Sequence, residues 1–425
     1  MPALRAHGWT LPGQRRSHQP MSAMPPVRFL DRTSPPHILT LVLTAGLAAL
    51  SLNIFLPSLP SMAAHFGVDY AVMQLSVSLY LAMTAVLQVF IGPVSDRYGR
   101  RPVMLVAVAV FVLATVGATL APSFEVFLAC RLMQAVVATG FALSRAVVRD
   151  LVGQDQAASM IGYVTMGMSI VPMVGPAIGG MLDRAFGWQA SFVILGVLGV
   201  GLWGLIWADQ GETAQSRSSS FREQVRAWPT LLKSQRFWGY VLAAGFASGA
   251  FFAYLGGAPY VGTRVYGMDA AQLGLYFSAP AVGYLIGNGV SGRYAVRLGV
   301  NHMIVIGAIV ATAGLGVLAL LAALNLSNKE IFFGSMVFVG LGNGILLPSA
   351  NAGMLSVRPQ LAGSAAGLGG ACIIGFGAAL AALAGVVLTA GSGAMPLILL
   401  MVVSSAASLP CVGWVIRRAR AVGAA

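Results

Sequence analysis

Apolar residues in this chain come in long unbroken runs rather than at the spacing of a half-buried helix or strand. Runs of about 18 or more residues, enough to cross a bilayer as a helix, recur near 38–60, 72–93, 103–121, 125–146, 159–182, 188–208, 237–261, 272–291, 303–324, 331–354, 363–388 and 395–416. Such lengths exclude buried strands and predict membrane helices. Short polar breaks separate them, except for the long charged stretch 209–236. The pattern therefore predicts an all-α integral membrane protein with twelve transmembrane helices in two pseudo-symmetric six-helix bundles. The bundles span 37–208 and 237–416, with a linker at 209–236, a disordered N-terminal tail at 1–36 and a short tail at 417–425.

Composition supports this reading. Charged residues make up 9% of the chain and hydrophobic ones 57%, against roughly 25% charged in a soluble domain. A soluble globule of this size lacks the polar surface to cover such a core. The net charge of +13 raises the question of nucleic acid, but the basic residues are spread over short loops and build no basic face. With a cytoplasmic N-terminus, 21 of the 25 Lys and Arg fall on the cytoplasmic side and three (Arg184, Arg264, Lys329) opposite. The positive-inside rule then places both termini and the linker in the cytoplasm of a cell whose inner membrane holds the protein. Arg15-Arg16 stands too far from the first apolar run for an export signal, and Met21 and Met24 offer later starts. Cys130, Cys372 and Cys411 lie in apolar runs and read as small packing residues. No metal cluster, nucleophile triad or paired carboxylate stands out, so neither an enzyme nor a cofactor is expected, and the chain is expected to act as a monomer in lipid.

A few polar motifs interrupt the runs. Gly92-Pro93-Val94-Ser95-Asp96-Arg97-Tyr98-Gly99-Arg100-Arg101 predicts a tight charged hairpin between the second and third helices. A degraded copy, Gly287 to Gly299, follows the second helix of the other half and suggests an internal repeat. Asp150, at the end of the fourth helix on the same side, is in position to pair with Arg100. Arg131 lies inside an apolar helix, where arginine costs roughly 2.5–3.5 kcal/mol. It must face a cavity or a polar partner, with Gln134 one turn on. Pro172, Gly175, Pro176, Gly179 and Gly180 interrupt the fifth helix, implying a kink and close packing. Phe55, Tyr80, Met166, Tyr254, Tyr284 and Asn343 are softer candidates for lining a cavity.

Four of these features together resemble the major facilitator superfamily, and within it the twelve-helix drug:proton antiporters of the Bcr/CflA type, which include bicyclomycin and chloramphenicol or florfenicol exporters. They are Leu56-Pro57-Ser58-Leu59-Pro60, the Gly92–Arg101 segment, Arg131-Leu132-Met133-Gln134 with Arg145, Arg149 and Asp150, and Gly175-Pro176-Ala177-Ile178-Gly179-Gly180. The resemblance implies that Asp96, Arg97, Arg100, Arg101, Arg149 and Asp150 form a conformational latch. It also implies that Asp96 faces the start of the eleventh helix near Gly363-Ser364. Arg131 and Gln134 would belong to a substrate and proton pathway, and the fifth-helix motif would mark an antiporter. Bcr/CflA-type chains usually carry aspartate where this chain has Asn53, so the pathway here lacks that acid. With Arg131 uncompensated, neutral or anionic substrates are expected. The expected function is export of small lipophilic compounds, with phenicol-type antibiotics as candidates, in exchange for protons. A metabolite exporter on the same fold, and a transporter-like sensor that moves nothing, are the alternatives.

Overall fold

The computed structural model of the protein describes residues 28–151, 171, 174–213, 228–358, 361–389 and 391–421. These residues fold into helices and connecting turns, with no strand among them. A chain this apolar has little alternative, because in hydrocarbon only a helix or a closed barrel satisfies its own backbone. Ten described helices are long and apolar enough to span a bilayer: α1 (Ile38–Phe66), α2 (Tyr70–Tyr98), α3 (Arg100–Thr119), α4 (Phe124–Val148), α6 (Gln189–Asp209), α7 (Gln235–Val265), α9 (Val300–Ala323), α10 (Lys329–Ser356), α11 (Gly363–Val387) and α12 (Met395–Arg418). Two more complete the twelve: α5, described over 174–186, and α8, in two pieces, Ala270–Tyr276 and Ala279–Leu298.

Two sequence expectations need correction. The first helix does not close at Leu56–Pro60. Pro57 and Pro60 instead open new helical turns, Leu56–Ser58 and Leu59–Phe66. Proline belongs in a first turn, where its missing N–H has no partner to lose. The charged hairpin is likewise hardly a loop. The α2 helix runs to Tyr98 and α3 starts at Arg100, leaving Gly99 alone between them at φ 95° and ψ 150°. That backbone region is essentially reserved for glycine. Gly299 joins α8 to α9 in the same way, at φ 81° and ψ 156°. The repeat seen in sequence is therefore a repeat of one backbone joint.

The two halves share apolar core at one end only. At the end away from the termini, here called distal, Leu56, Leu59 and Phe192 of the first half and Tyr254, Leu273 and Phe333 of the second belong to one cluster. At the proximal end the second half keeps a core of its own, around Phe237, Ile304, Met354 and Val412. Among the described residues the halves thus share core at the distal end and not at the proximal one.

Residues 28–36, which the sequence places in the N-terminal tail, are held against the end of α6. Asp209, assigned by sequence to the linker, is the last residue of α6 and is fully buried. Its carboxylate accepts hydrogen bonds from the backbone of Leu30 (2.8 Å) and His37 (2.9 Å) and from the Thr40 hydroxyl (2.6 Å). The Ser34 hydroxyl closes the turn by accepting from the Arg28 N–H (3.2 Å) and donating to the Asp31 carbonyl (2.9 Å). Asp209→Ala removes the acceptor of three donors at once. It is expected to lower stability by about 2 kcal/mol or more and to speed tryptic cleavage at Arg28 and Arg32. Limited proteolysis and a melting curve of the detergent-purified protein measure both.

Candidate functional site

Between the halves lies a cavity of about 340 Å³, within the size range of small-molecule sites. Half one contributes Asn53 from α1, Tyr80, Thr84 and Gln88 from α2, and Phe141 and Arg145 from α4. Half two contributes Ser248, Phe251 and Phe252 from α7, Phe277 and Tyr284 from α8, Asn343 from α10 and Ile374 from α11. The wall is mostly apolar and aromatic, with separated polar groups and no carboxylate among the described lining residues.

The softer candidates divide. Tyr80, Tyr284 and Asn343 line the cavity. Phe55 does not: it is fully buried within half one, its ring 5.8 Å from that of Phe192. Tyr254 sits behind the wall in an aromatic cluster, 4.9 Å from Phe277. Met166 and Pro172 lie outside the described residues. Asn53 does reach the wall, while its amide donates back to the Ala49 carbonyl at 2.7 Å.

Arg131 is fully buried and is not among the lining residues. Its guanidinium lies 4.4 Å from the Phe55 ring centre and 4.0 Å from that of Tyr80. It donates to the Ser51 carbonyl (2.8 Å) and hydroxyl (3.2 Å) and to Gln134 (2.9 Å). Gln134 in turn donates to the Thr115 hydroxyl at 2.7 Å, reaching α3. Aromatic faces and carbonyl dipoles thus do the work that a carboxylate usually does for a buried cation. Tyr80 is the shared element, with Arg131 at its ring and the cavity beside it. Arg131 therefore meets the cavity through Tyr80 rather than directly.

Distally, close contacts seal the cavity. Gly180 lies against the Ala270 carbonyl and Gly274 against the Pro176 carbonyl, so that a Cβ on either glycine would collide with backbone. These contacts join α5 to α8 across the halves. Gly175 and Gly179 face Leu50 and Ile54 of α1 instead, so this part of the motif packs within half one. Beside this seam, Gln74 of α2 enters half two. It is fully buried, donates to the Ala381 carbonyl of α11 at 2.6 Å, and sits beside Gly256 and Gly385. The Tyr70 hydroxyl donates to the Gly256 carbonyl at 2.7 Å. An exposed ion pair, Arg184–Asp269 at 3.5 Å, crosses the same seam. Sequence reasoning missed Gln74, which belongs to no motif; its one signal is an amide near the start of an apolar run.

Proximally, Arg100 gathers the charged motif. It pairs with Asp96 at 2.6 Å and Asp150 at 3.1 Å, and also donates to the Ser95 hydroxyl. The expected Arg100–Asp150 pair is therefore present. Asp96 meets Arg100, and Gln88 of the same helix lies against Gly367 and Gly370 of α11. Glu212, placed by sequence in the linker, accepts from the backbone N–H of Arg100 (2.8 Å) and Arg101 (3.3 Å). It so caps the start of α3, where a carboxylate is favoured. Arg101 donates to the Trp207 carbonyl at 2.9 Å, and Arg97 stacks on Tyr98 at 5.4 Å. Gly92 lies inside α2 with open space beside it. The Arg149 side chain is outside the described set. Partial burial holds the Asp150 carboxyl above the ordinary carboxylate range; Arg100 opposes that rise, and the charges of Asp96 and Glu212 add to it.

The comparisons with known proteins agree with this architecture. The model of the Major Facilitator Superfamily matches residues 41–382. A chloramphenicol resistance protein of Pseudomonas aeruginosa is 30% identical over 323 residues, covering 75% of this chain and 76% of that protein. A bicyclomycin resistance protein homolog of Haemophilus influenzae is 30% identical over 351 residues, covering 81% and 88%. Among solved structures, a bacterial homolog of the human lysosomal transporter Spinster superposes with a TM-score of 0.68 at 17% identity, covering 90% of this chain and 96% of that one. The twelve-helix fold, the central cavity between its halves and the family match together place this chain in the major facilitator superfamily of transporters.

Proposed function

We propose that this protein exports small, largely apolar drug-like molecules by alternating access, in exchange for protons, with both termini in the cytoplasm. The observation that carries the reading is the central cavity: lined by aromatic and isolated polar groups from both halves, and sealed at the distal end. With cytoplasmic termini, that geometry is the inward-facing state, which loads from the cell interior. The resistance proteins among its relatives supply the substrate class. Phenicol-like molecules suit the wall, since they carry an aromatic ring and several hydrogen-bonding groups. In this reading the Asp96–Arg100–Asp150 cluster, capped by Glu212, is a latch that strengthens when the proximal ends close. Arg131 fixes Tyr80, and through it one side of the binding wall.

Expression in an efflux-deficient bacterium is expected to lower chloramphenicol or bicyclomycin accumulation several-fold, and a protonophore is expected to abolish the difference. Unchanged accumulation of both drugs refutes drug export; a difference that survives the protonophore refutes proton exchange.

Asn53 decides charge selectivity in the same cavity. Asn53→Asp places an acid on a wall with no carboxylate among its described residues. It is expected to shift relative efflux toward a cation such as ethidium by about tenfold, the scale of one charge-assisted contact. Equal efflux ratios in the two proteins contradict this role.

Gln74→Ala removes one buried hydrogen bond across the distal seal, worth about 1 kcal/mol. The outward-open population should then rise about fivefold. Electron spin distance measurements between labels at Asp69 and Thr389, both exposed at distal helix ends, should show a larger long-distance fraction than in the parent.

A further inference from the structure

We infer that Thr84 and Asn343 form a hydroxyl-recognition subsite in the central cavity, so that the exporter takes neutral molecules carrying an alcohol hydroxyl on an apolar body. The inference rests on the export reading above and names its substrate class. Thr84 comes from α2 in half one and Asn343 from α10 in half two, and both line the cavity. Thr84 shares its helix face with Tyr80 and Gln88, and Asn343 shares its face with Gly340 and Leu347. Both residues are more than nine-tenths buried, at 5% and 3% exposed. The Thr84 hydroxyl oxygen and the Asn343 amide oxygen nevertheless have no hydrogen-bond partner among the described residues.

Three other polar groups of the wall are already engaged. The Asn53 amide donates to the Ala49 carbonyl, the Ser248 hydroxyl to the Ala244 carbonyl at 2.6 Å, and the Tyr80 hydroxyl to Ser51 at 3.4 Å. A helix hydroxyl often settles on the carbonyl four residues back, as Thr44 and Thr115 do. Thr84 makes no such bond to Tyr80. Asn343 is held in place without being satisfied. Gly340 and Gly344 lie on the α8 backbone and Gly342 on that of α9, so closely that a Cβ on any of them would collide. The helix is clamped from two sides, with Asn343 on the side that meets the cavity. A buried polar atom without a partner is costly, and a site built around one favours the ligand that supplies it. The chemistry then selects the ligand group. An amide oxygen only accepts, so it needs a donor; the Thr84 hydroxyl both donates and accepts, its hydrogen turning freely. An alcohol also gives and takes, and so satisfies either. The last torsion of an amide side chain is soft, which lets Asn343 turn to a ligand while α10 stays fixed.

The matched probes are chloramphenicol, which carries free hydroxyls, and its diacetyl ester, in which those hydroxyls are acetylated and cannot donate. Dissociation constants for each are measured separately on the full-length protein in uncharged detergent, for the parent, Thr84→Val, Asn343→Leu and Asn343→Asp. Thr84→Val and Asn343→Leu keep the approximate shape and remove the polar atoms. Each is expected to weaken chloramphenicol binding about fivefold, the scale of one neutral hydrogen bond, and to leave binding of the diacetyl ester unchanged. Asn343→Asp keeps a carboxyl oxygen in the same place and should restore most of the chloramphenicol affinity. Unchanged chloramphenicol affinity in either Thr84→Val or Asn343→Leu overturns the subsite and leaves drug export standing, as does an equal loss for both probes. Where the parent binds chloramphenicol but not the ester, Asn343→Asp decides: recovered affinity supports the subsite, and no recovery overturns it. Binding of neither probe by the parent overturns the subsite and the phenicol reading together.

Discussion

The distal seam is a contact of backbone on backbone. Gly180 reaches the Ala270 carbonyl and Gly274 reaches the Pro176 carbonyl at distances no side chain allows. A seam of this kind excludes water through fit alone, and fit is lost all at once when two rigid bodies tilt. Dispersion between closely packed backbones is strong in sum and weak per atom. The seal can therefore be tight without being permanent. The few hydrogen bonds that cross it, from Gln74 and Tyr70, each add about 1 kcal/mol, small enough to break in every cycle. The cavity between the halves and the separate proximal core of half two both fit with where this seam sits.

Charge inside the membrane is rationed, and the protein places it in three ways. Arg131 is enclosed by aromatic faces and carbonyls within one half, which makes it part of the scaffold. Arg145 is set on the cavity wall. Arg100 collects Asp96 and Asp150 at the membrane surface, with Glu212 on the adjoining backbone. The same residue type therefore stiffens the scaffold, lines the cavity or fastens the membrane surface, depending on which groups surround it.

Much of the fold was legible from sequence, because an uninterrupted apolar run of this length has one solution in lipid. The twelve helices, the two halves and the Arg100–Asp150 pair could all be read before the structure. What could not be read was direction. Hydropathy does not say which face of α4 meets the cavity, so it left open whether Arg131 faces a cavity or a polar partner and counted Arg145 as a topology marker. Local propensity did not show that helix continues through Asp96, since a glycine, a proline and several charges usually mark a loop. Asp209 and Glu212 looked like linker acids because their partners, Leu30, His37 and Arg100, lie more than a hundred residues away in the chain.

Those two acids also bear on the mechanics of the whole molecule. Asp209 and Glu212 pin the first residues after α6 to half one, and Leu231 is buried in the core of half two. Nineteen positions along the chain separate the anchor at Glu212 from the one at Leu231. Each half thus holds its own end of the connection, and the halves meet through helix surfaces, with α2 against α11 at Gln74 and Gln88.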